Sequence, residues 1–154
     1  MQYCKRLLLI VSLSLAAYGK VLTDKSGAFQ FEVPDSFVVS SGADARSPDK
    51  KVKVSSSLFP PKKKGQKLED IARAFMTNQR QMGKAVVDAG KLKLGGTDAL
   101  AVQTEDSKHN QEISLLTLSD RGMAVVVLHF DMPIQASPQL FANLVARSFR
   151  WLAK

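Results

Sequence analysis

Glu112-Ile113-Ser114-Leu115-Leu116-Thr117-Leu118, then Asp120-Arg121-Gly122, then Met123-Ala124-Val125-Val126-Val127-Leu128-His129-Phe130-Asp131-Met132: this stretch decides how the chain folds. Two apolar runs rich in branched side chains, separated by a short turn composition, mark antiparallel neighbours. Towards the amino end, Val86 to Leu94 and Asp98 to Thr104 are also strand-like. Gly95-Gly96-Thr97 and Asp106-Ser107-Lys108-His109-Asn110 supply the turns between them. The simplest arrangement is a four-strand meander.

Further upstream the apolar residues alternate with period two, in Phe29, Phe31 and Val33 and again in Val52, Val54 and Leu58, as expected of half-buried strands. Ser40 to Asp49 is rich in turn formers, has no apolar rhythm, and is expected to be a loop. After Pro60-Pro61 the period changes. Leu68, Ile71, Ala72, Phe75, Gln79 and Met82 recur at helical spacing, with Glu69 and Asp70 in the first turn and Gly83 as the stop. This predicts a helix over Leu68 to Met82. Past the meander, Ser137-Pro138 supplies an N-cap and a first-turn proline, and Phe141, Leu144, Val145, Ser148, Phe149 and Leu152 mark the stripe of a second helix. The expected class is α+β: an antiparallel sheet of about six strands, including the meander, packed by two main helices. The stripes with Phe75 and Met82, and with Phe141 and Phe149, are read as core, and Trp151 as packing against the sheet.

The amino end has a different character. Lys5-Arg6 precedes an apolar and small-residue run of eleven, Leu7 to Ala17, and then Tyr18-Gly19-Lys20. Charged, apolar and small-residue segments in that order are expected of a cleavable secretory signal over residues 1–19, cut after Gly19 or, as second choice, after Ala16. A bilayer-spanning helix needs roughly 20 apolar residues, so retention as an inner-membrane tether is the alternative. Cys4, the only cysteine, lies before the apolar run, which disfavours lipid anchoring and leaves residues 20–154 without a thiol. Those residues are of a size for one domain with its own core. The chain carries 22 basic and 14 acidic residues; without Lys5 and Arg6 its formal charge falls from +8 to +6. Such a charge favours anionic partners, a membrane surface among them. One Trp and two Tyr leave few stacking platforms, and with export this disfavours nucleic acid.

The opening Gly27-Ala28-Phe29-Gln30-Phe31-Glu32-Val33-Pro34, the central helix, the meander, and the closing helix ending Ser148-Phe149-Arg150 together resemble the PsbP-like superfamily, which includes the bacterial DcrB-like exported proteins. Element order carries the likeness over most of residues 20–154. The resemblance implies a PsbP-like sandwich and a non-catalytic accessory, adaptor or chaperone role. It transfers no functional residue.

His129 shares a strand face with Asp131, two residues on, the pairing that orients a general base. The simpler reading is a structural hydrogen bond near a strand end. His109, with Asp106 and Glu112 nearby, lies in a polar turn; zinc usually needs three or four placed ligands, and a solvated turn is the plainer account. No serine lies in a Gly-x-Ser-x-Gly or Ser-x-x-Lys setting, and Gly95-Gly96 lacks the lysine of a phosphate loop. No catalytic residue, metal site or cofactor is therefore assigned. The basic residues carry more promise: Lys62, Lys63, Lys64 and Lys67 cluster at the start of the first helix, with Lys51 and Lys53 on the preceding strand, where ammonium groups would speed encounter with an anionic surface. A solvated loop is the competing account of the same lysines.

The expected function is that of a non-catalytic periplasmic binding or accessory protein, recognising another envelope component, a protein with an acidic face. One alternative is an immunity protein that neutralises a secreted effector delivered to the periplasm. Another is a hydrolase using His129 and Asp131.

Overall fold

A computed structural model describes residues 19–40, 43–60 and 64–154. The signal peptide, except Gly19, and Lys62 and Lys63 lie outside the described residues. The elements in chain order are β1 (Lys20–Thr23), β2 (Phe29–Val33), β3 (Val38–Ser40), β4 (Asp44–Arg46), β5 (Val52–Phe59), α1 (Leu68–Gln81), β6 (Ala85–Leu94), β7 (Thr97–Glu105), β8 (Gln111–Ser119), β9 (Gly122–Phe130), α2 (Pro138–Ser148) and β10 (Arg150–Trp151). They form a seven-stranded sheet in the order β3-β4-β5-β9-β8-β7-β6 and a three-stranded sheet in the order β1-β2-β10. All pairings are antiparallel, and β6 to β9 form the expected meander. The architecture is α+β.

Alternation along β9 divides the large sheet into two faces. Ala124, Val126, Leu128 and Phe130 point into the main core, together with Val52 and Val54 of β5 and Ile113 and Leu115 of β8. The small sheet contributes Phe29, Phe31 and Val33 to that core, and α2 contributes Ala142, Val145 and Ala146. Phe29, Phe31, Phe130 and Phe149 are fully buried there, each stabilising the fold by about 1.5–3 kcal/mol. The opposite face meets α1 through a smaller cluster in which only Ala72, Val102, Leu116 and Val125 are buried.

The turns follow their residues. Gly95 and Gly96, with φ of 55° and 86°, form the two-residue loop between β6 and β7, a geometry that favours glycine at both positions. Gly95 is doubly constrained, because a Cβ there would lie 1.8 Å from the carbonyl oxygen of Phe149. Gly83, at φ 81°, ends α1 in a Schellman arrangement: its N–H donates to Arg80 O (3.0 Å), and the Lys84 N–H donates to Gln79 O (3.1 Å). Asp24, buried between β1 and β2, accepts from the Ser26 N–H (2.9 Å) and from the Ser56 hydroxyl of β5 (2.7 Å), which latches the small sheet to the large one. Burial raises its pKa, but these donors outweigh that effect and hold it below the ordinary aspartate value.

The large sheet has seven strands, close to the expected six or so, and three more among the described residues form the small sheet. Three expectations need correction. Asp44–Arg46, inside the expected loop, is a strand because Ala45 reaches the core while β4 pairs with β3 and β5. The second helix stops at Ser148, although its apolar stripe continues: the Gly95 N–H takes the Ala146 carbonyl (3.1 Å), and Arg150 and Trp151 pair with Gln30 and Phe29. Trp151 thus packs edge-on against Phe29 and Phe149. Met82, read as part of a buried stripe, is 62% exposed because α1 has already ended. Ser137 does stand at the N-cap of α2, but its hydroxyl bonds to Gln139 Oε1 (2.6 Å) and leaves the helix N–H groups uncapped by a side chain.

Candidate functional site

α1 packs mainly on β6, β7 and β8, borders β9 at the buried Val125, and leaves the same face of β5 largely uncovered. The result is a cleft of about 980 Å³ between the helix and β5. Ile71 and Phe75 form its helical wall, Ser57 and Phe59 of β5 its far side, and Val125 and Val127 of β9 its floor. Phe75, read as core, is half-buried and lines this cleft. Phe59 remains 47% exposed, a large apolar surface for an aromatic in a strand. Lys64, Gln66 and Asp120 stand among the residues around it.

The lysines singled out in the sequence divide into two groups. Lys51 and Lys53 lie at the beginning of β5, where Lys51 Nζ donates to Pro133 O (3.0 Å) and Lys53 Nζ faces Asp131 Oδ2 at 3.6 Å. Lys64 and Lys67 follow the far end of β5, and both are exposed. An eight-residue strand spans roughly 25 Å, so proximity in sequence does not make these lysines one patch. Lys67 occupies the N-cap position of α1, where a cation opposes the helix dipole. Glu69 and Asp70 in the first turn offset it.

His129 lies on the α1-side face, towards the Lys53 end. Its Nε2 is 2.9 Å from Asp131 Oδ1, and its Nδ1 is 3.5 Å from Glu112 Oε2. Glu112 also receives Lys84 Nζ at 3.1 Å. The result is an alternating chain, Lys84, Glu112, His129, Asp131, Lys53, that ties the connection after α1 to β8, β9 and β5. Asp131 is held below the ordinary aspartate range, first by the hydrogen bond from His129 and also by the Lys53 charge. The expected His129–Asp131 pair is therefore present through Nε2, with Glu112 standing 3.5 Å from the other ring nitrogen. Glu112 and Lys84 were not assigned to it from the sequence; the facing register Glu112↔His129 in β8–β9 brings Glu112 there.

His109, at φ 63°, bonds to Glu105 Oε1 (2.6 Å) in an exposed turn. Asp106 accepts instead from the N–H groups of Lys108 (2.8 Å) and Asn110 (3.0 Å), which organises the turn. Among the described residues no group of three His, Cys, Asp or Glu side chains is arranged to hold a metal ion.

Comparison with solved structures bears on the whole of this geometry. The solution structure of cyanobacterial PsbP (CyanoP) from Synechocystis sp. PCC 6803 superposes with a TM-score of 0.61 at 16% identity, covering 92% of this chain and 96% of that one. The chain has a PsbP-like fold. A crystal structure from Bacteroides thetaiotaomicron VPI-5482 matches with a TM-score of 0.55 at 13% identity, covering 88% of this chain and 49% of that one. At these identities the PsbP-like likeness is one of fold alone. No protein-family model matches the sequence, and no curated protein does.

Proposed function

We propose that this PsbP-like protein is a non-catalytic binding or accessory protein of the bacterial periplasm, recognising a partner protein of the envelope through the cleft beneath α1. The observation that carries the reading is the half-covered sheet face: Phe59, Val125 and Val127 border a wide cleft, with the exposed Lys64 beside it. Lys67, electrostatically misplaced for the helix it begins, adds positive charge that would steer an acidic partner face. The signal-like amino end supports export.

The test is affinity capture from envelope extract with the protein immobilised, at low and high salt, followed by the same capture with Ser57→Glu and with the double variant Lys64→Glu, Lys67→Glu. The expected result is one enriched partner, lost on salt addition and with either variant. Capture indifferent to both variants rules out the cleft. A partner that proves to be a secreted effector, inhibited on binding, selects the immunity role. His129→Ala is expected to leave capture unchanged, whereas loss of a measured hydrolytic turnover in that variant would establish the hydrolase reading instead.

A further inference from the structure

The seven-stranded sheet ends at β6, which pairs with β7 on one side and with no other strand among the described residues. Its ten residues therefore present a long row of outward N–H and C=O groups. Lys91, Lys93 and the register break between Val86 and Asp88 are devices that discourage two such edges from pairing with each other. Gly90 interrupts this edge in mid-strand, where the absence of a side chain permits close approach of another backbone.

A cleft of about 580 Å³, separate from the one beneath α1 and on the other face, lies between this edge and α2. Helix and strand run the same way along it. At one end the Gly95 N–H holds Ala146 O (3.1 Å); at the other Gln139 Nε2 reaches Gln103 Oε1 (3.4 Å), and Gln103 stands opposite Asp88. The sheet side presents Leu92, Ile113 and Leu115, while α2 presents only the methyl groups of Ala142 and Ala146. Gln139, Asn143 and Arg147 follow at four-residue spacing, a single row on the helix surface along the cleft. Arg147 is exposed and forms no ion pair among the described residues, although neighbouring Lys93 is matched by Asp98 and Lys91 by Glu69. Among the described residues the cleft thus has a cation without an ion pair at its Leu92 end and, in Asp88, an anion without one at the other.

We propose that this cleft takes an extended segment of a partner protein, which adds to β6 as a further strand, inserts a large apolar side chain over Ala142 and presents an Asp or Glu to Arg147. Ala142 to Arg147 is a rise of about 7.5 Å along a helix, and two residues of strand cover about 6.6 Å. The acidic and the apolar residue are therefore two apart, on one face of the added strand. Antiparallel addition, the mode of every pairing in this sheet, puts the acidic residue first, so the recognised pattern is acidic-x-apolar within an internal segment. A terminal carboxylate is normally held by a nest of backbone N–H groups, whereas the residues around Arg147 are helix and strand. This surface and the cleft beneath α1 stand or fall separately.

The experiment is selection of a randomised nonapeptide phage library against the protein, followed by amide NMR with the most enriched peptide. Expected are enrichment of acidic-x-apolar, protection of alternate β6 amides from exchange, and about tenfold weaker binding by Arg147→Glu, restored when the acidic residue of the peptide is changed to Lys. Ala142→Phe, with the fold checked by circular dichroism, is expected to block the same peptide. Failure to enrich any peptide, shifts confined to the cleft beneath α1, or binding indifferent to both variants would overturn the proposal. So would protection of β6 by concentration-dependent dimerisation without peptide, because the occupant would then be a second copy.

Discussion

The two faces of the seven-stranded sheet are built from the same strands by the same alternation, yet they differ in what covers them. One carries α2 and a complete second sheet over a continuous core of phenylalanines and branched side chains. The other carries only α1, a small buried cluster around Ala72, Val102, Leu116 and Val125, and a partly exposed remainder. A sheet needs burial on one face to be stable, and the second face is then free to differ. Here the α2 face holds the fold, and the α1 face has surface left over for recognition.

The contrast is open to measurement, beginning where the largest effect is expected. Phe149→Ala removes a fully buried ring stacked 5.2 Å from Phe29 and is expected to cost about 3–5 kcal/mol, read from urea unfolding by the fluorescence of Trp151. Phe75→Ala on the α1 face is expected to cost less than half of that, since its ring is only half-buried; equal losses would erase the distinction between the faces. Between these lies Asp24→Asn, which weakens the latch to Ser26 and Ser56 and is expected to cost about 1–3 kcal/mol at neutral pH. Because the folded pKa of Asp24 is depressed, its contribution is fully present above the unfolded value, near 4, and is lost as pH falls through the lower folded value. The variant should accordingly show a flatter stability profile below that pH, measured by denaturant midpoints across an acid series. Ser57→Glu on the open wall should change stability by no more than about 0.5 kcal/mol while abolishing partner capture. His129→Gln is also expected to change stability little, by no more than about 1 kcal/mol in thermal unfolding, because the polar contacts around it are partly solvated.

Much of this architecture was legible in the sequence, for reasons that particular residues make plain. Val126, Leu128 and Phe130 alternate with Val125, Val127 and His129, and Gly95-Gly96 admits hardly anything but a hairpin, so the meander is written locally. β4 is not: three residues with one apolar member carry no rhythm, and only their neighbours make them a strand. β10 was hidden by an α2 stripe that runs through Phe149 to Leu152, since nothing local announces that Trp151 will pair with Phe29. The functional surfaces were legible in fragments. His129 and Asp131 are two apart and share a face by strand geometry, but Glu112 reaches them by cross-strand register. Lys53 and Lys64 look close in sequence, yet β5 separates them. The two clefts arise from where each helix fails to cover the sheet, a relation between elements that no single segment encodes.

The pairing of β2 with β10 has a bearing on how the molecule assembles. Gln30 and Phe29 find their second partners only in Arg150 and Trp151, across nearly the whole described chain. Contacts of such long sequence separation form against a large loop-closure entropy and lower folding rates. The meander, closed by short turns, can pair early, whereas the small sheet stays half-built until the segment after α2 is available. Closure of the main core is thereby expected late in folding, and substitutions at Trp151 should act mainly on the rate at which the finished molecule opens.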